Sequence, residues 1–421
     1  MAEPLSFCMV TTFYPPYHFG GDAMYVYRLS NLLARRGHRV TVVHCVDAYR
    51  MLSSEEPADH YPNHPNVRVE RLRSPRGRLS PLVTYLTGRP GLKAPALDAI
   101  FDGERFDVVH FHNVSLVGGP GILRYGDGIK LYTLHEHWLV CPMHVLWKYN
   151  REPCVKPECL RCTLAFHRPP QLWRYTNLLA NESRRVDLFL APSRFTMDQH
   201  RARGFDRPMR YLPHFLPVAD LDDAANSVEP GPPTTGRPYF LFVGRLTRLK
   251  GVQTLLDVFR QFDAADLLVA GHGDHADELR RQAADLPHVR FLGHRHPDEL
   301  RRLYAGATAL IVPSSGYEVF GLVVLEAFAQ RTPVIVRDLG ALPEPVRESG
   351  AGFTYQTADE LLAAMRALTA NPRLRQELGE RGYRAHRDHW SDDAHLDGYF
   401  DAIREAGERR RSRLAAGDPA R

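Results

Sequence analysis

The chain of 421 residues contains no apolar run approaching the roughly 18 residues that a membrane-spanning helix needs. Its start, Met1-Ala-Glu-Pro-Leu5, lacks the basic stretch of a secretory signal, so a cytoplasmic protein is expected. Neither sign of charge dominates: 54 Lys and Arg stand against 49 Asp and Glu, and the formal net charge of +5 is spread along the chain. That balance suits anionic small ligands and gives no ground for a nucleic-acid partner. Lysine nearly runs out, Lys250 being the only one after Lys156. The strict glycine fingerprint of dinucleotide-binding folds is also absent.

What is present describes a globular protein, 44% hydrophobic and 24% charged. The length exceeds one ordinary core, so two domains are expected. Apolar runs alternate with helical patterns: Ser6–Thr11, Val40–Val43, Phe106–His112 and Lys130–Leu134 in the first half, Tyr239–Val243, Leu267–Gly271, Val289–Gly293, Ala309–Val312 and Pro333–Val336 in the second. This is the βαβ signature of two doubly wound α/β domains. Residues 46–95, rich in Pro, Arg, Ser and Gly, read as an irregular insertion with one strand near Val67–Val69. The boundaries follow: residues 1–217 as a first domain, 218–238 as a linker, 239–385 as a second domain, and 386–421 as C-terminal helices with a basic tail. Trp390 and Tyr399 are expected to dock those helices on the first domain. The tail, Glu408-Arg-Arg-Arg-Ser-Arg413, reads as a frayed, solvated end able to meet anionic lipid headgroups. The Asp-x-Asp pair in the linker follows no strand and is not read as a metal site.

The chain is organised around Ile311–Phe328. A buried strand ends at Val312, Pro313–Gly316 break it, and an apolar helical pattern follows through Phe320, Val323, Val324, Ala327 and Phe328. The unpaired N–H groups and positive dipole end at such a helix start suit a phosphate or sugar oxygen. Glu318 sits at the turn, and Glu326 lies two helical turns on among apolar neighbours, where a carboxylate needs a partner. Another strand-to-helix turn, Gly244-Arg-Leu-Thr-Arg-Leu-Lys-Gly251, places Arg245 and Lys250 where fixed positive charge would meet a diphosphate. Gly271 opens a third such turn. In the first half, Gly20 and Gly21 follow the first strand, and His135 lies just past the carboxyl end of another, where open α/β sheets place their ligands.

Four cysteines, Cys141, Cys154, Cys159 and Cys162, fall within 22 residues of a Pro-rich loop. Clustered thiols of this kind point to a structural metal, zinc or else an iron–sulfur cluster, against free or disulfide cysteines. Cys8 and Cys45 stand alone in apolar strands and read as core.

Glu318 and Glu326 with seven residues between them, flanked by Pro313-Ser314 and Pro333-Val-Ile335, resemble the acidic motif of retaining glycosyltransferases of family 4. Gly244-Arg-Leu-x-x-x-Lys-Gly251 resembles that family's basic motif. The resemblance implies a GT-B fold, two Rossmann-like domains facing each other across a cleft, with C-terminal helices returning to the first. It implies transfer of a sugar from a UDP- or GDP-sugar to an acceptor hydroxyl of a glycan, lipid-linked sugar or natural product. Within it, Glu318 faces the donor sugar, Glu326 the ribose, Arg245 and Lys250 the diphosphate, and His135 the sugar. Gly20, Gly21, Gly271, Phe320, Gly321 and Leu322 complete the donor contacts. No catalytic divalent metal is expected where Arg245, Lys250 and helix N-termini supply the charge. A bacterial subset shows a similar His-x-x-Trp-x-x-Cys-Pro segment with a cysteine cluster. Departures stand at Gln330-Arg331, where the family shows a small residue and Gly, and at His214-Phe215, for which it offers no role. Two rivals remain: a non-catalytic sugar- or glycan-binding partner of the same fold, and a phosphorylase, whose pyridoxal lysine would have to be Lys250.

Overall fold

Short, mostly apolar runs become the strands of two parallel sheets. The computed structural model describes residues 3–57, 60–217 and 236–417. Contacts divide them into two compact units: the described residues of Met1–Leu212 with Leu396–Arg421, and those of Pro213–His395.

In the first unit, β1 (Ser6–Val10), β2 (Arg39–Cys45), β3 (Val67–Leu72), β4 (Val108–Phe111) and β5 (Ile129–Thr133) are followed by a small hairpin, β6 (Trp147–Lys148) with β7 (Glu152–Pro153). β8 (Leu188–Ala191) and β9 (Met209–Tyr211) complete a seven-stranded sheet in the order β3-β2-β1-β4-β5-β8-β9. β1, β4 and β8 are buried along their whole length, as parallel strands covered by helices on both faces must be. The order reverses direction between β1 and β4, which opens a crevice at their carboxyl ends.

The second unit repeats the scheme with β10 (Tyr239–Val243), β11 (Asp266–Ala270), β12 (Val289–Gly293), β13 (Ala309–Val312), β14 (Val334–Arg337) and β15 (Gly352–Tyr355). These strands run in the order β12-β11-β10-β13-β14-β15, all pairs parallel, with the switch between β10 and β13. Phe240, Val269, Ile311 and Ile335 form one face of its core with Val252, Leu255 and Phe259 from the helix Val252–Phe259. The opposite face packs Leu241, Val312 and Val334 against Val324, Leu325 and Phe328 from the helix Leu322–Ala329.

Several expectations need correction. The 46–95 segment is ordered: it forms helices Val46–Leu52 and Leu79–Thr87 around β3 and buries Val46, Ala48, Tyr49, Leu72 and Tyr85. The C-terminal tail is not frayed, since the helix Asp392–Ala415 continues through it. Arg410 and Arg413 there pair with the buried Asp187, a carboxylate that needs counter-charge. Tyr399 packs in the first unit, with its hydroxyl 2.9 Å from His110 Nδ1. Trp390 stays in the second, stacked on Phe328. His214 and Phe215, assigned to the first domain by sequence, pack in the second, where His214 meets Phe320 and Phe215 stacks on His395 at 4.3 Å. Most of the proposed 218–238 linker, with its Asp-x-Asp, lies outside the described residues. At the departure Gln330-Arg331, Arg331 takes the left-handed position (φ +54°) where glycine commonly ends a helix. Glu380, at 2.7 Å, and the Tyr383 ring, at 3.7 Å, hold it there. No helix among the described residues is long and apolar enough to cross a membrane.

Candidate active site

In the second unit, the turns after β10, β11, β13 and β14 meet at the carboxyl edge of the sheet. They approach so closely that glycine is required. A Cβ at Gly271, where φ is +140°, would lie 1.9 Å from the Gly244 carbonyl oxygen. One at Gly251, φ +76°, would lie 2.1 Å from the Pro313 carbonyl oxygen. The N–H groups of Ser315 and Gly316 both donate to the Leu249 carbonyl, at 2.8 and 3.1 Å, binding the β13 turn to the β10 turn. Backbone therefore lines this edge, and a few long side chains supply its chemistry.

Lys250, ending the short turn Arg248–Lys250, donates from Nζ to Glu318 Oε1 at 2.7 Å. The Ser314 hydroxyl donates to the same oxygen at 2.7 Å. Burial pushes the Glu318 carboxyl up, but the Lys250 charge and the hydrogen bonds from Lys250 and Ser314 outweigh it and hold the group below the usual range. Glu326 finds its partner in Tyr304, whose buried hydroxyl donates to Oε2 at 2.8 Å. Arg245 is exposed at the mouth of its turn, and Phe320 is buried just before the helix Leu322–Ala329. Gly321 caps that helix with φ +98°, and a Cβ there would press on Leu342 Cδ2 at 2.9 Å. Sequence reasoning missed Ser314, Tyr304 and also Arg337, which donates to Ser315 Oγ at 3.2 Å. Arg337 ends the apolar run Val334–Val336, and a cation closing a strand that points at a ligand edge was the available signal.

In the first unit, His135 is buried past β5, its Nε2 3.0 Å from Nδ1 of His112 and its ring 5.0 Å from that of Tyr25. His112 and Asn113, just past β4, went unread although they share His135's topological position. Asn113 donates to Asp22 Oδ2 at 3.3 Å, in the first turn of the helix Gly21–Arg35. Burial, and then Glu136, push the Asp22 carboxyl up. Gly20 has extended backbone, and a Cβ there would meet nothing nearer than Asp22 Oδ1 at 3.9 Å, so packing within the chain does not demand glycine.

The expected metal centre is not shown. Among the described residues no group of three or more His, Cys, Asp or Glu is arranged to hold a metal ion. Cys141, Cys154, Cys159 and Cys162 are all free thiols. Burial, and then the neighbouring Cys141, push the Cys154 and Cys159 thiols up. Cys162 Sγ accepts the Tyr149 N–H at 3.5 Å. The loop contains the hairpin β6–β7 and the helix Cys159–Ala165.

Two doubly wound parallel sheets, one in each unit, are those of the GT-B architecture. Residues 225–385 match the model described as glycosyl transferases group 1, and residues 19–220 that described as glycosyltransferase family 4. A phosphatidyl-myo-inositol mannosyltransferase of Mycobacterium leprae is 35% identical over 397 residues, 89% of this chain and 92% of the relative. A glycogen synthase of Mycobacterium tuberculosis is 28% identical over 390 residues, 87% of each chain. Sucrose-phosphate synthase from Thermosynechococcus elongatus shares the fold, with a TM-score of 0.70 at 20% identity over 98% of this chain and 100% of its own. So does Anabaena HepE in complex with UDP-glucose, with a TM-score of 0.61 at 16% identity over 98% and 100%. The chain belongs to glycosyltransferase family 4.

Proposed function

We propose that the carboxyl edge of the second sheet binds a UDP- or GDP-sugar and supports transfer of the sugar, with retention, to an acceptor hydroxyl. The Lys250–Glu318 pair carries this reading, because it joins the turns after β10 and β13 at the switch point. Lys250 and the exposed Arg245 supply cationic charge to the leaving diphosphate, with the N–H groups at Gly321 and Leu322 beside them. Glu318, kept ionised, faces the cationic, oxocarbenium-like sugar of the transition state. Tyr304 occupies one oxygen of Glu326 and leaves Oε1 for a ribose hydroxyl. The turn at Gly271 and the side chain of Phe320 border the same edge. His135, in the first unit, is proposed as a sugar-contacting residue. Gly20 and Gly21 admit close approach of a ligand to backbone, the one demand for glycine that packing leaves unexplained at Gly20.

The acceptor class is a glycan, a lipid-linked sugar or a natural product. The name of the mycobacterial mannosyltransferase favours the lipid-linked class, and with it a cytoplasmic enzyme working at a membrane surface. Binding and turnover separate the two glutamates. Glu318→Gln should lower kcat at least tenfold while nucleoside-diphosphate affinity, measured by calorimetry, changes little. Glu326→Gln should weaken that affinity by roughly 1.5–3 kcal/mol, the range for a hydrogen bond to a charged group. Wild-type kinetics and affinity in both variants would remove the assignment.

A further inference from the structure

The first unit holds a cavity of about 590 Å³ away from the groups just described. Its walls come from the segment Leu139–Pro142, the helices Cys159–Ala165 and Leu178–Ser183, the turn Gln171–Thr176 and the segment Arg203–Arg207. Three guanidinium groups line it, Arg174, Arg203 and Arg207, against a single carboxylate, Asp206. Among the described residues, none of the three arginines makes an ion pair.

Each guanidinium is fixed by neutral oxygens. Arg174 donates to Gln171 Oε1 and to the Trp138 carbonyl at 2.8 Å, and it lies over the Trp138 and Trp173 rings at 5.1 and 4.6 Å. Arg203 donates to the Cys154 carbonyl at 2.7 Å, and Arg207 to the Ala180 carbonyl at 2.9 Å and Ser183 Oγ at 3.2 Å. Gln171 is 3% exposed. Its Oε1 is taken by Arg174, and its Nε2 is buried without a partner. A buried amide donor left unmet is costly, and three arginines beside the one carboxylate, Asp206, leave an excess of positive charge that attracts an anion. Planar guanidinium forks match the oxygens of a phosphate in particular.

Apolar side chains line the cavity as well, Leu139, Leu160, Leu179 and Phe205 among them, and the volume falls in the range of small-molecule sites. Leu160 and Tyr175, both lining residues, are 46% and 64% exposed. Beside them, Trp173 Nε1 donates to the Tyr85 carbonyl at 2.9 Å, joining the turn 171–176 to the helix Leu79–Thr87. That helix turns Leu79, Leu82 and Leu86 outward. Surface apolar area is thus concentrated around the cationic cavity. We propose that this cavity is a binding site for a phosphate group borne on an apolar chain, distinct from the donor site and independent of the transferase reading.

The test is calorimetry on the full chain with octyl phosphate, inorganic phosphate and a neutral octyl polyoxyethylene detergent, each below its micelle concentration. Octyl phosphate should bind at least tenfold more tightly than either of the others. The binding should fall at least tenfold in Arg203→Gln/Arg207→Gln and in Leu160→Glu, the second a surface change that keeps the proposal testable where the first fails to fold. Lys250→Ala should leave the binding intact. Inorganic phosphate binding as tightly as octyl phosphate, with the same losses in the cavity variants, would uphold the phosphate site and assign it to free phosphate. No saturable binding of either phosphate, equal binding of the neutral detergent, or a loss in Lys250→Ala without one in the cavity variants would overturn it.

Discussion

Glu318 is the residue on which opposing effects meet. Burial raises its carboxyl, while the Lys250 ammonium at 2.7 Å and the Ser314 hydroxyl lower it, and the lowering wins. A carboxyl held below its unfolded value contributes stability that is present above that value and lost as pH falls through the folded one. Lys250→Met removes the main lowering influence and leaves burial, so the Glu318 carboxyl should rise. The acid limb of a kcat/KM–pH profile should therefore move to higher pH in the variant, beyond any loss in overall rate. An acid limb unchanged from wild type would show that Lys250 does not hold Glu318 ionised. At this scale the sequence was informative where spacing carried the signal. Glu318, Arg245 and Lys250 were picked out because each sits at a strand-to-helix turn, and Glu326 because it stands among apolar neighbours in the helix that follows. Their partners were not, because the contacts bridge long stretches of chain: Lys250 meets Glu318 across 68 residues and Tyr304 meets Glu326 across 22.

The elements carry the site by letting backbones touch. At Gly271 a methyl group would lie 1.9 Å from the Gly244 oxygen in a conformation that L residues rarely adopt. Gly271→Ala should therefore lower the unfolding free energy by about 1–3 kcal/mol, the cost of such backbone strain, and weaken nucleoside-diphosphate binding as well. Denaturant unfolding with calorimetry checks both, and an unchanged variant would show that these turns are not pressed together. Most strands were readable as short apolar runs, several of them closed by Gly, Pro or Asp. The helix Leu79–Thr87 was not. It buries Ser80, Pro81, Thr84 and Tyr85 and exposes Leu79, Leu82 and Leu86, which inverts the pattern from which helices are recognised. β9 and β15 are too short, and only partly buried, to stand out. In the cysteine loop, four thiols in a Pro-rich stretch suggest a metal that is not shown among the described residues, and the hairpin β6–β7 and the helix Cys159–Ala165 there were too short to be read.

On the scale of the whole molecule, the chain returns its last helix to the first unit, and Asp187 anchors it there. That carboxylate is fully buried and accepts the Lys130 N–H at 2.7 Å. Arg410 and Arg413, 28% and 32% exposed, face it from the helix. Removing one partner of a fully buried pair costs roughly 3–5 kcal/mol, and water at the two guanidiniums reduces this to about half. Asp187→Asn should lower the melting temperature and speed tryptic cleavage between Arg409 and Arg413. Cleavage at the wild-type rate would contradict the anchoring role. The central claim is that the second unit presents a nucleotide-sugar to a retaining reaction. The direct measurement is ¹H NMR of the sugar first released when the enzyme slowly hydrolyses its accepted UDP- or GDP-sugar. The account predicts that an α-linked donor gives the α-anomer first and that Glu318→Gln abolishes the release. The β-anomer appearing first, or release undiminished in Glu318→Gln, would contradict it.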